Sequence, residues 1–187
     1  MTSTVWLIRT PADPAAFVAR VMLGVTMWPH GAQKTLGWFG GDGFRATIDG
    51  MGQQGLPATL AVLVMLGEFL GSIALLVGLM GRVAAASIAM IMLGAIFLVH
   101  GQNGFFMNWT GKQAGEGFEY HLLALALALV VLIRGSGAVS IDRALGGGDA
   151  GATPEPILSP GEWTHVGVTA PDVDGVPSRV TEPPSRR

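Results

Sequence analysis

A single acidic residue lies in the middle of the most apolar stretch of this 187-residue chain. The stretch, residues 56–79, has 24 residues and contains Glu68 close to its midpoint. That length suffices to cross a hydrocarbon core about 30 Å thick. A carboxylate at this depth costs about 2.5–3.5 kcal/mol on insertion scales, so Glu68 needs a partner or a proton. Glu68 is therefore the first candidate for chemistry.

Other ionisable and aromatic side chains occur within or at the ends of the remaining apolar runs. They are Arg20, His30, Lys34, His100, Glu119, Tyr120 and His121. On a regular helix, Arg20, His30 and Lys34 fall within an arc of roughly 80°, which predicts one polar edge that faces other helices. The alternative is that Arg20 and Lys34 snorkel to head groups at opposite ends of the helix.

Three kinds of site fit these residue types. The first binds a quinone head group, with His30 and Lys34 as donors to its carbonyl oxygens and Glu68 as a proton carrier or counter-ion. The second is a metal or haem site built from the histidines, although no HxxxH or ExxH pair occurs on one helix face. The third is structural, with Glu68 paired to a basic residue of the first run. We expect no metal, and the residues alone leave the other two open.

The composition narrows the class of protein. Half of the residues are hydrophobic and 13% are charged, whereas soluble domains carry about 25% charged residues. The composition therefore predicts a membrane protein, with the lipid bilayer as its first partner. It has no cysteine, which excludes a thiol nucleophile, a CxxC pair and iron–sulfur ligation on this chain. A net charge of −2 gives no indication of nucleic-acid binding.

Four apolar runs predict an all-α fold, an integral membrane four-helix bundle. The expected spans are residues 14–36, 56–79, 82–100 and 119–134. The last span is short, since the residues between its terminal charges give only about 21 Å of helix. Loops rich in glycine and aromatic residues separate the first span from the second and the third from the fourth, and Phe44–Met51 is expected to form a short helix on the membrane surface. The Gly67-x-x-x-Gly71 pattern predicts a close helix contact beside Glu68.

Four spans place both termini on one side of the membrane. The arginines favour that side as the cytoplasmic side of a plasma (inner) membrane, with a multi-pass chain. The expected organisation is an N-terminal segment (1–13), the four-helix domain (14–145) and a tail (146–187). The tail holds seven of the 11 prolines, and this composition predicts disorder.

The order of several short motifs resembles the DoxX/DoxD family of small four-helix membrane proteins, over about residues 17–145. The first half contributes Arg20, His30-Gly31, Lys34, Glu68 with Gly71, and Gly78, Gly81 and Arg82. The second half contributes His100 before Asn103–Phe106, Glu119-Tyr120, and Gly135, Gly137, Ser140 and Asp142.

The resemblance implies a function as well as a fold. DoxD-type members are described as subunits of a thiosulfate:quinone oxidoreductase, and other DoxX-like members are linked to redox and thiol stress together with soluble enzymes. We therefore expect a membrane subunit that passes electrons from a small donor, with thiosulfate as the family's suggestion, to membrane quinone. A partner redox subunit fits the same role. The alternatives are a non-catalytic anchor that recruits a soluble redox enzyme and a transporter of small solutes or protons.

Each candidate residue has an expected role in the quinone hypothesis. Glu68 and His30 are the catalytic candidates. The expected ligand-binding residues are Lys34, His100, Glu119, Tyr120 and Arg20.

Overall fold

The computed structural model of the chain describes residues 7–146, and these residues form helices and connecting loops without a strand. Residues 1–6 and 147–187 lie outside the described part, so nearly all of the predicted tail is not tested by the structure.

Four long helices carry the fold. They are α1 (Pro14–Leu36), α3 (Ala58–Val77), α4 (Gly81–Ala95) and α5 (Glu119–Arg134), with the short α2 (Gly43–Gln53) between the first two and α6 (Ile141–Leu145) after the last. The predicted bounds of the first and last spans agree with α1 and α5. Asp13 caps the start of α1. Its side chain accepts hydrogen bonds from the backbone amides of Ala15 and Ala16, as expected for an aspartate at this position.

The long helices pack as a ring in which each has two neighbours. α1 packs against α3 and α5, and α4 packs against the same two helices. The core between them consists of small and medium apolar side chains, among them Leu23, Leu75, Ala85, Ile88 and Ala128. A four-helix bundle therefore exists in the described residues, as the hydrophobic pattern predicts.

Both ends of the described chain lie at the same end of the bundle, where a polar network ties them together. The amide of Gly137 donates to the hydroxyl of Thr10 at 2.7 Å. Asp142 accepts from the amides of Met80 and Gly81, at 2.7 and 2.9 Å, and so holds the tight turn between α3 and α4. We call this end, with the termini and the α3–α4 turn, the terminal end, and the opposite one the loop end.

Two helical segments are long and apolar enough to cross a membrane, Ala58–Val77 and Gly81–Asn103. Only 28% and 22% of their most apolar windows are buried in the protein, whereas the core helix of a soluble protein would be mostly covered. α1 has the length but carries three ionisable residues, and α5 has 16 residues, or about 24 Å. The prediction of four spans thus remains a prediction for α1 and α5.

Candidate functional site

The carboxylate of Glu68 pairs with the ammonium group of Lys34, which joins α3 to α1. The side chain of Glu68 is 3% exposed and that of Lys34 is 29% exposed, so the pair lies at the edge of the interior. Such a pair satisfies the need for a partner that the apolar setting imposes on Glu68. Of the two basic residues in the first span, Arg20 and Lys34, it is Lys34 that pairs with Glu68.

A glycine brings the two backbones together at this pair. A Cβ atom on Gly31 would lie 2.6 Å from the Cα of Phe69 and 2.9 Å from the carbonyl carbon of Glu68. Only glycine permits this approach without a shift of one helix. Gly31 therefore sets the distance over which Lys34 reaches Glu68.

A cavity of about 500 Å³ opens beside the ion pair, between α3 and α4. Its size falls in the range of about 300–1,000 Å³ that is typical of small-molecule sites. Lys34, Glu68 and His100 supply its ionisable groups, and the side chains of Gln54 and Ser87 add polar atoms. The rest of the wall is mostly apolar, with Leu60, Leu63, Val64, Met90, Ile91 and Leu98 among its residues.

Regular helical spacing explains how the sequence builds this wall. On α4 and its continuation, the lining residues Ser87, Met90, Ile91, Gly94 and Leu98 recur at intervals of three and four, so they form one stripe. At the inner part of the stripe, a Cβ on Gly67 would lie 2.7 Å from the hydroxyl oxygen of Ser87, so α3 and α4 touch there. A Cβ on Gly94 would meet nothing within 4 Å, because this glycine faces the open cavity.

His100 reaches the cavity from a π-helical turn, Ile96–His100, that ends the α4 segment. Such turns are frequent at functional sites. The Nδ1 atom of His100 lies 2.8 Å from the backbone oxygen of Glu116. A carbonyl oxygen only accepts, so Nδ1 carries the proton and Nε2 is the nitrogen left without a bond to this loop.

Three further aromatic side chains, two from α5 and one from α1, form a cluster with His100. The ring centroids of His100 and His121 are 4.2 Å apart, and those of His121 and Tyr120 are 5.6 Å apart. Tyr120 also packs against His30 at 5.9 Å and donates its hydroxyl to the sulfur of Met27 at 3.4 Å. His121 is buried, and its Nδ1 has no hydrogen-bond partner in the described residues.

Some of the residues predicted from the sequence to bind a ligand do not line the cavity. His30 is exposed and faces Tyr120 of α5, and Tyr120 itself lies in the aromatic cluster and not in the cavity wall. Glu119 accepts a hydrogen bond from the amide of Met107 at 3.3 Å and so holds the loop before α5. A ligand contact for these residues stays a prediction that the cavity does not support.

Arg20 lies far from this site, at the terminal end. Its fully buried guanidinium donates to the backbone oxygens of Ser136, Leu75, Leu76 and Val139. These bonds close the end of α3 and fix the segment after α5. The expected ligand contact of Arg20 therefore finds no support. Its position explains why, because Lys34 comes 14 positions after Arg20, which is about 21 Å along α1.

The quinone hypothesis drawn from the sequence does not use His121, which begins the fourth span and belongs only to the metal alternative. The signal was a histidine inside the first turn of an apolar helix. The alternative of a metal site built from His30, His100 and His121 finds no support, since no group of three or more His, Cys, Asp or Glu side chains within residues 7–146 is placed to hold a metal ion.

Comparisons with known proteins identify the family. The DoxX family model matches residues 15–101, which include Lys34, Glu68 and His100. The protein named "Inner membrane protein YqjF" from Escherichia coli (strain K12) is 31% identical over 133 residues, covering 71% of this chain and 93% of the relative. The chain belongs to the DoxX family.

A second relative carries a name that mentions a reaction class. The protein named "Putative oxidoreductase CatD" from Bacillus subtilis (strain 168) is 28% identical to this DoxX protein over 123 residues, covering 66% of the chain and 81% of the relative. No solved structure matches the chain. The comparisons thus support a DoxX membrane protein and, more weakly, an oxidoreductase.

Proposed function

We propose that this DoxX protein is a membrane subunit of a quinone-linked oxidoreductase and binds the quinone head group in the cavity between α3 and α4. The observation that carries the proposal is the cavity itself, which joins Lys34, Glu68 and His100 to a largely apolar wall. A flat ring with polar atoms at its edge fits such a site, because the wall covers its faces and the ionisable groups meet its oxygens.

The residues of the cavity have complementary roles in this proposal. A quinone takes up two electrons and two protons to become a quinol, and two thiosulfate ions that couple to tetrathionate release two electrons. The ammonium group of Lys34 donates a hydrogen bond to a carbonyl oxygen, and Glu68 keeps that ammonium group in place and takes part in proton transfer. His100 offers its Nε2 as acceptor or, when protonated, as donor.

Because the chain lacks cysteine, the electrons in this proposal do not come from a thiol of this chain. A thiol–disulfide step on this chain is likewise excluded. The electrons come from a small donor such as thiosulfate, which the family resemblance suggests, or from a partner redox subunit.

The test compares matched variants in lipid nanodiscs. We expect the purified protein to carry extractable quinone and to bind added quinone. Lys34→Met and Glu68→Gln lower the affinity at least tenfold, or about 1.4 kcal/mol. Lys112→Met and Asp49→Asn, at exposed positions outside the cavity, leave it unchanged. Size-exclusion profiles check that each variant is folded.

Two outcomes would remove the proposal. If the wild-type protein neither carries nor binds quinone, the non-catalytic anchor remains, and co-purified soluble redox enzymes would then identify its partner. If quinone binds equally well to the wild type, Lys34→Met and Glu68→Gln, the cavity is not the site. A transporter would need a continuous polar path from Arg20 through Glu68 to His100, but Arg20 donates to backbone oxygens at the terminal end.

A further inference from the structure

The outer wall of the cavity consists of side chains that point away from the protein. Leu63 of α3 is 64% exposed, Met90 of α4 is 73% exposed and Leu98 of the π turn is 62% exposed, and all three line the cavity. These residues belong to the two segments that are apolar enough to span a membrane. The opening of the cavity thus faces the region that lipid chains occupy around a membrane helix.

The loop end of the cavity has a different boundary. The short helix α2 packs against α1 and α3. Met51 of α2, together with Gln54 and Leu56 just after it, contributes to the cavity wall. Access from the aqueous phase at this end is therefore narrowed by α2, whereas the side between α3 and α4 is bordered by exposed apolar side chains.

The polar end of the cavity is deep along α3. Glu68 comes ten residues after the first residue of α3, which places it about 15 Å along the helix axis. At that depth a ligand that enters sideways keeps its apolar part in lipid while its polar part meets Lys34 and Glu68. A water-soluble ligand with the same head group has no apolar part to place against these exposed apolar side chains.

We propose that the gap between Leu63 and Met90 is a lateral portal, through which the isoprenoid tail of a membrane quinone leaves the cavity while the head group stays inside. This inference rests on the proposed function, because it takes the quinone as the occupant and adds its route and orientation. The Lys34–Glu68 pair lies at the inner part of the cavity, with Glu68 3% exposed, and the exposed apolar side chains lie at its lipid side, so the ligand must be amphipathic in the same direction. A phospholipid acyl chain is the competing occupant that the test must distinguish.

The test uses a quinone probe with a photoreactive diazirine in its tail, bound to the full chain in nanodiscs. We expect cross-links at or next to Leu63, Met90 and Leu98, located by peptide mass spectrometry, and at least a fivefold loss of these cross-links when an excess of unlabelled quinone is present. A Cβ at Gly94 meets nothing within 4 Å, so Gly94→Leu extends a side chain into the cavity and should remove the cross-links. Ala126→Leu, at an exposed position of α5, is the matched control and should retain them.

The outcomes separate the portal from the head-group site. If cross-links concentrate at Met51 and Gln54 and excess quinone removes them, the quinone enters from the loop end and the portal is wrong while the proposed function stands. If a diazirine-labelled phosphatidylcholine gives the Leu63 and Met90 cross-links and quinone does not compete, the groove holds an acyl chain and the portal proposal fails. If quinone removes no cross-link from either probe and binds nowhere, both proposals fail together.

Discussion

Arg20 and Lys34 are basic residues of one helix with opposite uses. Arg20 is fully buried and divides its donors among four backbone oxygens, a task that suits the branched and rigid guanidinium group. Lys34 places a single ammonium group against Glu68 and stays partly exposed at the cavity. Sequence spacing places both residues on one edge of α1, but the identity of their partners depends on how the other helices pack.

Removal of Arg20 should weaken the fold and leave the cavity intact. In Arg20→Met, the last carbonyl groups of α3 lose their donors, and each buried acceptor left unsatisfied costs about 1–3 kcal/mol. We expect the free energy of unfolding to fall by about 3–5 kcal/mol in total, measured by unfolding in mixed detergent micelles. Arg45→Met, at an exposed position of α2, should change it by less than about 0.5 kcal/mol.

Ligand binding provides the second measurement for this variant. The folded fraction of Arg20→Met should bind quinone like the wild type, because the guanidinium group lies outside the cavity. A variant with normal stability and lost binding would instead restore the ligand-binding role that the sequence suggests for Arg20.

Several residue roles could be predicted from sequence because their signal is local. Glu68 stands alone in an apolar run, and Lys34 is one of the two basic residues in the first span that could meet it, so the pair was among the predicted alternatives. His100 is predicted as a ligand-binding residue because it ends a span, and it lines the cavity. The roles of Arg20 and Glu119 could not be predicted, since their partners are main-chain atoms whose positions depend on the tertiary fold. The stacking of His121 on His100 likewise joins residues from two helices.

At the scale of helices, close packing depends on a few glycines. Gly31 lies against the backbone of α3 at Phe69, and Gly67 lies against Ser87 of α4. The pattern of small residues around Glu68 predicted a close contact on α3, and Gly67 confirms it. Gly31 was noted only as part of a motif, because one glycine in a helix carries no information about which backbone approaches it. The second glycine of the pattern, Gly71, has only an ordinary contact, since a Cβ there would lie 3.7 Å from Ile88.

A methyl group at Gly31 should separate α1 from α3. In Gly31→Ala the new Cβ would overlap the backbone of Phe69, so one helix must shift and the Lys34–Glu68 contact must lengthen. We expect a loss of about 1–3 kcal/mol in the free energy of unfolding, as for other overpacked interiors, and a loss of quinone binding. Thermal unfolding in detergent and the binding assay in nanodiscs measure the two effects.

Gly50→Ala is the matched control, because a Cβ at this position of α2 meets nothing within 4 Å. It should keep binding and leave stability equal or slightly higher, since alanine favours helix over glycine by about 1 kcal/mol. Equal stability and equal binding in Gly31→Ala and Gly50→Ala would contradict the view that Gly31 sets the reach of Lys34.

At the scale of the whole molecule, the two ends of the bundle differ in chemistry. The terminal end gathers Arg20, Arg82 and Asp142 into bonds with backbone groups. The loop end carries exposed aromatic side chains, among them Trp38, Phe39, Phe106 and Trp109. Rings of this kind are enriched where a membrane meets water. The bundle is thus closed by hydrogen bonds at one end and carries exposed aromatic side chains at the other, where the cavity also lies.

This asymmetry gives a prediction for the topology of the chain. Four spans would put both ends of the described chain on one side, and the arginines near the termini predict that this side is the cytoplasm. The chain has no cysteine, so single cysteines can report the side of the membrane without background. Ala12 near the terminal end and Ala114 in the loop before α5 are both exposed. With a membrane-impermeant maleimide on intact cells, Ala114→Cys should react, and Ala12→Cys should react only after permeabilisation.

The same pair of variants distinguishes four spans from two. If only α3 and α4 crossed the bilayer, residues 12 and 114 would lie on the same side, because the chain would cross twice between them. Both cysteines would then react on intact cells, or neither would. Reaction of Ala12→Cys alone would indicate the inverted orientation, with the cavity near the cytoplasmic leaflet. The expected result, with only Ala114→Cys reactive, places the cavity in the outer leaflet, because Lys34 and His100 belong to the loop end of their helices.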